Sequence, residues 1–269
     1  MVSFSLYLKS LIVGTPLESS AKRLRWLLGA GQRVKHPELW ELYLEERRLL
    51  LILQRILSEQ SCGVDVGCHI GSFLSLLMKY APKGRHIAFE PSVRRSELLR
   101  RHFPAATIYA CAVSDRSGTA LFQENSSRPG YSHLQADEKE QTANAVSYEV
   151  ETRCLDNLLL ETDRLDLIKL DIEGGELAAL HGAAKVIRKF RPTIIFECGS
   201  EYDLNDKMLS RRDLYNFITK DLDYSVLTFG DFLFDKGSMT FDEFRKCGLY
   251  PFKAFNFVAV PAGSIPRTS

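Results

Sequence analysis

No stretch of this 269-residue chain approaches the ~18–20 consecutive apolar residues needed to span a bilayer. Neither a spanning helix nor stable membrane insertion is expected. No CxxC pair occurs either: six cysteines stand apart at 62, 68, 111, 154, 198 and 247. Cys62 and Cys68 are too isolated to form half a zinc site. Most of the cysteines sit in apolar runs, which suits buried reduced thiols and a reducing compartment. Charge of one sign is not in excess. Lys and Arg total 35 against 34 Asp and Glu, a net +1, too little for a chain built to neutralise phosphates, so nucleic acid is not an expected partner. Internal repeats and long low-complexity segments are missing, which excludes solenoids and arrays. The first thirteen residues carry one Lys and no small-residue cleavage site. They make a poor signal peptide, and a cytoplasmic location is expected.

Hydrophobic residues at 45% and charged residues at 26% are the proportions of an ordinary globular protein. The length fits one large α/β domain with an appendage, or two small domains. The expected division is a helical extension or lid over 1–58, a main domain over 59–262 and a flexible tail over 263–269. In the extension, Leu24, Leu27 and Leu28 form one amphipathic pattern. Leu39, Leu42, Leu49, Leu53 and Ile56 form another, between Pro37 and Leu57. Nine basic residues against five acidic ones give this segment +4. The expectation is a lid packed on the main domain, its charged face in solvent. The alternative is docking on a membrane surface.

From residue 60 the pattern alternates. Strands are predicted at Gly63–Val66, His86–Phe89, Thr107–Cys111, Leu165–Leu170, Thr193–Glu197, Ser225–Thr228 and Asn256–Val260. Helices are predicted at Ser72–Tyr80, Ser92–His102, Glu176–Lys189 and Lys207–Asp221. Such alternation implies βαβ units, a doubly wound parallel sheet and a ligand site at the carboxyl ends of its strands. Leu121–Glu124 and Ser147–Arg153 have β character and are joined by a polar stretch from Asn125 to Asn144, which reads as a hairpin-like excursion with a mobile loop.

Two motifs carry chemistry. In Val64-Asp-Val-Gly-Cys-His-Ile-Gly-Ser-Phe73, Gly67 and Gly71 bracket a turn between a buried strand and a helix. Glycines there would let a ligand approach the backbone, and the helix start presents free N–H groups. The spacing departs from the G-x-G-x-x-G of dinucleotide enzymes. The next strand ends in Glu90-Pro91, where an acid can accept hydrogen bonds from both hydroxyls of a ribose and Pro91 stops the strand. Turn and acid together point to a ribonucleotide-bearing cofactor.

The second motif is Asp166-Leu-Ile-Lys-Leu-Asp-Ile-Glu-Gly-Gly-Glu176. In extended geometry Asp171 and Glu173 point the same way. Glu176 falls in the first turn of a helix, where a negative charge is favoured. If strands four and five pair, Glu197 lies beside Asp171. An oxygen-ligated Mg or Ca suits such carboxylates, but no third ligand is close in sequence, and no metal is expected. Acids at 65, 90, 171 and 197 crowd one sheet edge, which favours a cationic or hydroxyl-rich ligand.

VDVGCHIGSF, FEPS, the AVSD turn, VETRCLDNLL, LDLIKLDIEGGELAALHGA and RPTIIFECG occur in the order seen in FkbM-type methyltransferases, and over roughly residues 37–199 the chain resembles that family. Cys68-His69 stands where the family commonly has a small residue followed by Asn. The resemblance implies a Rossmann-like class I fold with a seven-stranded, mostly parallel sheet in the order 3-2-1-4-5-7-6, and S-adenosyl-L-methionine as cofactor. It implies that the turn from Asp65 through Gly67 and His69 to Gly71 holds the methionine portion. Glu90, with Pro91, would grip the ribose, Ala112 and its neighbours the adenine, and Asp171 would lie near the methyl end. The implied reaction is O-methylation of a hydroxyl on a small metabolite, polyketide or glycan. Asp171, Glu173 and Glu197 are the candidate catalytic residues, with His133 as an outside choice. A dinucleotide-dependent oxidoreductase and a non-catalytic cofactor-binding scaffold are the alternatives.

Overall fold

The computed structural model describes residues 10–125, 132–134, 145–199 and 211–264. The DEKE run at 137–140, most of the polar stretch around it, residues 207–210 of one expected helix and most of the expected tail lie outside these.

Short runs of apolar and β-branched residues form the larger sheet: β1 (Gly63–Val66), β2 (His86–Phe89) and β3 (Thr107–Tyr109). Four further strands, β4 (Ala112–Val113), β5 (Gly118–Asn125), β6 (His133–Leu134) and β7 (Ala145–Arg153), build a separate sheet. The chain then returns to the larger sheet with β8 (Leu167–Leu170), β9 (Thr193–Glu197), β10 (Tyr224–Thr228) and β11 (Asn256–Pro261). The large sheet runs β10-β11-β9-β8-β1-β2-β3 and the small one β4-β7-β5-β6. The large sheet is mixed: β11 runs antiparallel to both β9 and β10.

Alternate residues feed two cores. Val64, Val66, Ile168, Leu170, Ile194 and Phe196 face one, while Ala88, Leu167, Ile195 and Val258 face the other. A sheet buried on both sides reads as a near-continuous apolar run, as these strands do. On the second side lie α4 (Ser72–Tyr80) and α5 (Val93–His102), with Leu74, Leu77 and Leu99 buried.

The parallel register matters most for the site. Phe89 pairs with Val66, Val66 with Leu170, and Leu170 with Phe196. These four residues form one row across four strands. The next residues along the chain, Glu90, Gly67, Asp171 and Glu197, therefore emerge at one level on one edge. One row further in, Asp65 pairs with Lys169.

Four expectations are corrected. The third strand stops at Tyr109, whose carbonyl accepts the Glu90 N–H at 3.1 Å, and Ala112-Val113 leaves to pair with β7. The hairpin-like excursion forms with β5 and β7 antiparallel from Gly118–Thr152 to Asn125–Ala145, and through β4 it becomes part of a four-stranded sheet. The helix expected over Glu176–Lys189 is broken into α6 (Glu176–His181) and α7 (Ala184–Phe190). At the break, a Cβ on Gly182 would lie 2.0 Å from the Ser114 carbonyl oxygen, so backbone approach interrupts the helix.

The fourth correction concerns the N-terminal extension, which holds α1 (Pro16–Leu28), α2 (Ala30–Lys35) and α3 (Trp40–Ile56). α3 packs as expected, with Ile52 and Leu53 wholly buried in the second core. α1 buries no residue. Its Leu24, Leu27 and Leu28 are 57%, 62% and 77% exposed, so this helix does not seat its leucines on the main domain. No described helix is long and apolar enough to cross a membrane.

Candidate active site

At the edge defined by the register, a cavity of about 260 Å³ opens. Gly67, His69, Glu90, Pro91, Ala112, Asp171, Glu173 and Glu197 line it. The structure thus brings together eight of the ten expected site residues, drawn from the ends of four strands and from β4. His133, from β6, also reaches it.

Asp65 and Gly71 are the exceptions. Asp65 is wholly buried one row beneath the cavity, on the same face as its register neighbour Lys169, whose Nζ lies 3.6 Å from Asp65 Oδ1. Gly71 has φ +87°, and a Cβ there would lie 2.3 Å from the Phe103 ring. It serves packing between turn and helix. Gly67, at φ +81°, does line the cavity, but its Cβ would lie 1.9 Å from the Asp171 carbonyl oxygen. Both glycines are thus required by close approach within the protein.

Between the glycines the turn is drawn onto the end of β2. The N–H groups of Gly67 and Cys68 both donate to the Phe89 carbonyl at 3.0 Å. His69, in the left-handed region at φ +53°, donates its backbone N–H to Glu90 Oε2 at 2.9 Å. Glu90 Oε1 accepts from the Ser92 N–H and from Arg95 Nε, each at 2.9 Å. Glu90 and Arg95 are both 3% exposed. Burial pushes the Glu90 carboxyl up, against the pull of Arg95 and the two backbone donors. Arg95 also faces Glu124 of β5 at 3.4 Å, and Glu124 accepts from the Tyr148 hydroxyl at 2.9 Å. The ribose-side acid is tied in this way to the small sheet.

At the other end of the cavity, Asp171 pairs with Lys169 at 2.8 Å. Burial alone would raise Asp171, but Lys169 and a hydrogen bond from Glu197 pull it below the usual carboxylate range. Glu197 moves the opposite way. Burial and the adjacent Asp171 charge push it well up, so of the two carboxyls Glu197 is the one favoured to hold a proton. Lys169 stays charged: desolvation is outweighed by Asp171 and Asp65.

The loop after β8 is not extended, as the spacing of Asp171 and Glu173 suggested. Glu173 has φ +55° and Gly174 φ +99°. The cause is Glu176, whose two carboxyl oxygens accept the N–H groups of Ile172 and Gly174 at 3.1 and 3.0 Å and fold the loop back. Even so, Asp171, Glu173 and Glu197 present oxygens within 4.8 Å of one another. The third carboxylate missing near Asp171 in the sequence comes from β9, and the set has the oxygen chemistry a divalent cation would use.

Two residues central to this geometry escaped the sequence reading. Lys169 sits two residues before Asp171 on a buried strand, and that i, i+2 spacing in KLD was the available signal. Arg95 follows Glu90 by five residues, and only the turn into α5 brings it back.

With this geometry in place, comparison with known proteins is informative. A family model described as "Methyltransferase FkbM domain" matches residues 65–225. The methyltransferase sdnD of Sordaria araneosa is 28% identical over 152 residues, covering 44% of this chain and 59% of that protein. The 2-O-methyltransferase NoeI of Sinorhizobium fredii (strain NBRC 101917 / NGR234) is 25% identical over 173 residues, covering 58% of this chain and 70% of its own length. The chain therefore spans less than two thirds of the first relative's length. Among solved structures, a methyltransferase FkbM from Methylobacillus flagellatus KT is similar at a TM-score of 0.48 and 19% identity, covering 76% of this chain and 44% of that one.

Proposed function

Because the chain belongs to the FkbM methyltransferase domain family, we propose that it is an S-adenosylmethionine-dependent methyltransferase acting on a hydroxyl of a small metabolite, polyketide or sugar. One observation carries this reading: Glu90 and Asp171, at the ends of different strands, line one cavity.

The residues present fit the cofactor. Glu90 Oε2 accepts one protein donor, and a carboxylate oxygen can accept two, so capacity remains for ribose hydroxyls. Ala112 and Val113 offer small apolar walls for a flat ring. The far end is lined by Asp171, Glu173 and Glu197, a setting suited to a cation. When bound, the cofactor supplies a methyl group on a positively charged sulfur.

The chain's own part is positioning and proton handling. Transfer needs the accepting oxygen held in line at near-attack distance, and the hydroxyl must lose its proton. Asp171, kept ionised by Lys169, is the group available to accept that proton. Glu197, protonated, is not; it donates to Asp171 and holds it in place. This reading makes one of the three candidate catalytic carboxylates the base and one its orienting partner, with Glu173 also lining the cavity. Oxygen as the accepting atom is supported by the name of the NoeI relative, a 2-O-methyltransferase.

Calorimetric titration with S-adenosylhomocysteine tests the proposal. Micromolar binding, with methyl transfer to a member of a hydroxylated panel, is the expected result. Binding of NAD in its place would move the chain to the oxidoreductases, and cofactor binding without any product would leave a scaffold.

A further inference from the structure

We propose that α1 and α2 form a docking surface for an anionic phospholipid bilayer. Leu17, Leu24 and Leu28 recur at i, i+7 and i+11, which places them on one line along α1. They are 64%, 57% and 77% exposed. Leu27 (62%) widens the stripe, and Val34 on α2 is 81% exposed. Contiguous exposed apolar surface of this kind marks an interaction site.

The charge around the stripe says what covers it. Residues 16–35 carry Lys22, Arg23, Arg25, Arg33 and Lys35 against Glu18 alone. This is five minus one, or +4, in a chain whose total is +1. The rest of the protein is thus net −3, and the positive charge is concentrated on these two helices. Lys22 is held by Glu18 and Glu46. Among the described residues, no carboxylate pairs with Arg23 or Arg25, which flank the stripe. A leucine face bordered by Arg is the pattern of a helix lying in the headgroup plane of anionic lipid.

Trp26 lies on the opposite side of α1 from this stripe; it is 52% exposed, and the Arg33 guanidinium lies 4.0 Å from its ring centre. The chain's other tryptophan, Trp40, opens α3. The segment is firmly held to the domain just before α1, where Val13 is buried and its carbonyl accepts from His102 Nε2 at 2.7 Å. Docking of α1 would therefore hold the whole domain at the surface.

Since both tryptophans lie in this extension, intrinsic fluorescence reports on it directly. The full chain is titrated with phosphatidylcholine vesicles, with and without phosphatidylserine. The expected result is co-sedimentation with the anionic vesicles and a change in tryptophan fluorescence, both reversed by high salt and absent with phosphatidylcholine alone. L24E with L28E, and separately R23E with R25E, should each weaken vesicle binding by at least about tenfold. S-adenosylhomocysteine binding should be unchanged in both, so failure of this proposal is separable from failure of the proposed activity. No response to anionic vesicles would overturn it. So would a concentration-dependent dimer that is lost in L24E/L28E and excludes lipid, which would make the stripe a self-association face.

Discussion

Lys169 stands between two acids, 2.8 Å from Asp171 at the cavity edge and 3.6 Å from Asp65 in the wholly buried row beneath. The register of β1 against β8 creates this arrangement, because it makes Asp65 and Lys169 direct neighbours. Removing the cation would take away the largest single offset to the burial of Asp65. Lys169→Met should cost about 3 kcal/mol of stability, the lower end for breaking a buried pair, since the Asp171 side chain keeps 34% of its exposure. Denaturant melts measure this. A loss under about 0.5 kcal/mol, typical of surface changes, would show that Lys169 is not holding the acids together.

A glycine prediction follows from the same strand ends. Gly67→Ala meets the Asp171 carbonyl oxygen at 1.9 Å from a backbone at φ +81°. The left-handed conformation alone costs roughly 1–2 kcal/mol for a side chain, and the collision adds to it. The variant should melt well below the parent by circular dichroism. Gly174→Ala gives the contrast: nothing lies within 4 Å of its Cβ, so only the conformational cost at φ +99° remains. Equal losses in the two variants would remove the close contact as the reason for Gly67.

How much of this was legible in the sequence depends on whether the cause was local. Strand ends and their acids were, because buried apolar runs stop at Asp or Glu and Pro91 follows one of them. The meeting of Glu90, Asp171 and Glu197 was legible once the strands were assumed parallel. Asp65 lies below the cavity because it falls two residues short of Gly67 on the same face of β1, and the sequence does not mark where the strand ends. Lys169 was missed because a lysine inside an apolar strand is explained only by acids on other residues of the sheet. The break at Gly182 depends on the distant Ser114 carbonyl, and no local pattern signals it. The exposed leucines of α1 show the limit of amphipathicity: the pattern identifies an apolar face but not what it meets.

Glu176 makes a pH prediction. Burial raises its carboxyl from 4.5 to about 7, despite the two backbone donors. Between these values the native state binds more protons than the unfolded chain. The slope of unfolding free energy with pH is then negative: this group's contribution is lost as pH rises from about 4.5 to 7 and is constant above. Glu176→Gln cannot ionise. Its stability relative to the parent should improve from pH 5 to pH 8, by on the order of 2–3 kcal/mol. Urea unfolding at the two pH values reads the difference, and a pH-independent gap would mean that Glu176 ionises normally.

On the cofactor side, Glu90→Ala should weaken S-adenosylhomocysteine by roughly 1–3 kcal/mol, the value of hydrogen bonds to a charged group. It also strips Arg95 of its closest partner, so the folded state needs checking by thermal melt. Glu90→Gln keeps an acceptor and should fall between the parent and Ala. Unchanged affinity in a folded Glu90→Ala protein would take Glu90 out of the binding site.

The shared proton between Asp171 and Glu197 separates their roles. If Glu197 carries it at neutral pH, Glu197→Gln reproduces a neutral donor of the same shape. Such a variant should keep its fold and lose less than about tenfold in methyl transfer. Asp171→Asn removes the ionised acceptor and should lose ~10²-fold or more, the contribution of a positioned general base, while S-adenosylhomocysteine affinity changes much less. The reverse order of losses would make Glu197 the base. That outcome would require Glu197 to be ionised beside Asp171, against both its burial and the neighbouring charge. A larger loss in cofactor affinity than in turnover for Asp171→Asn would instead make Asp171 a cofactor ligand, leaving proton removal to water or to His133 across the cavity.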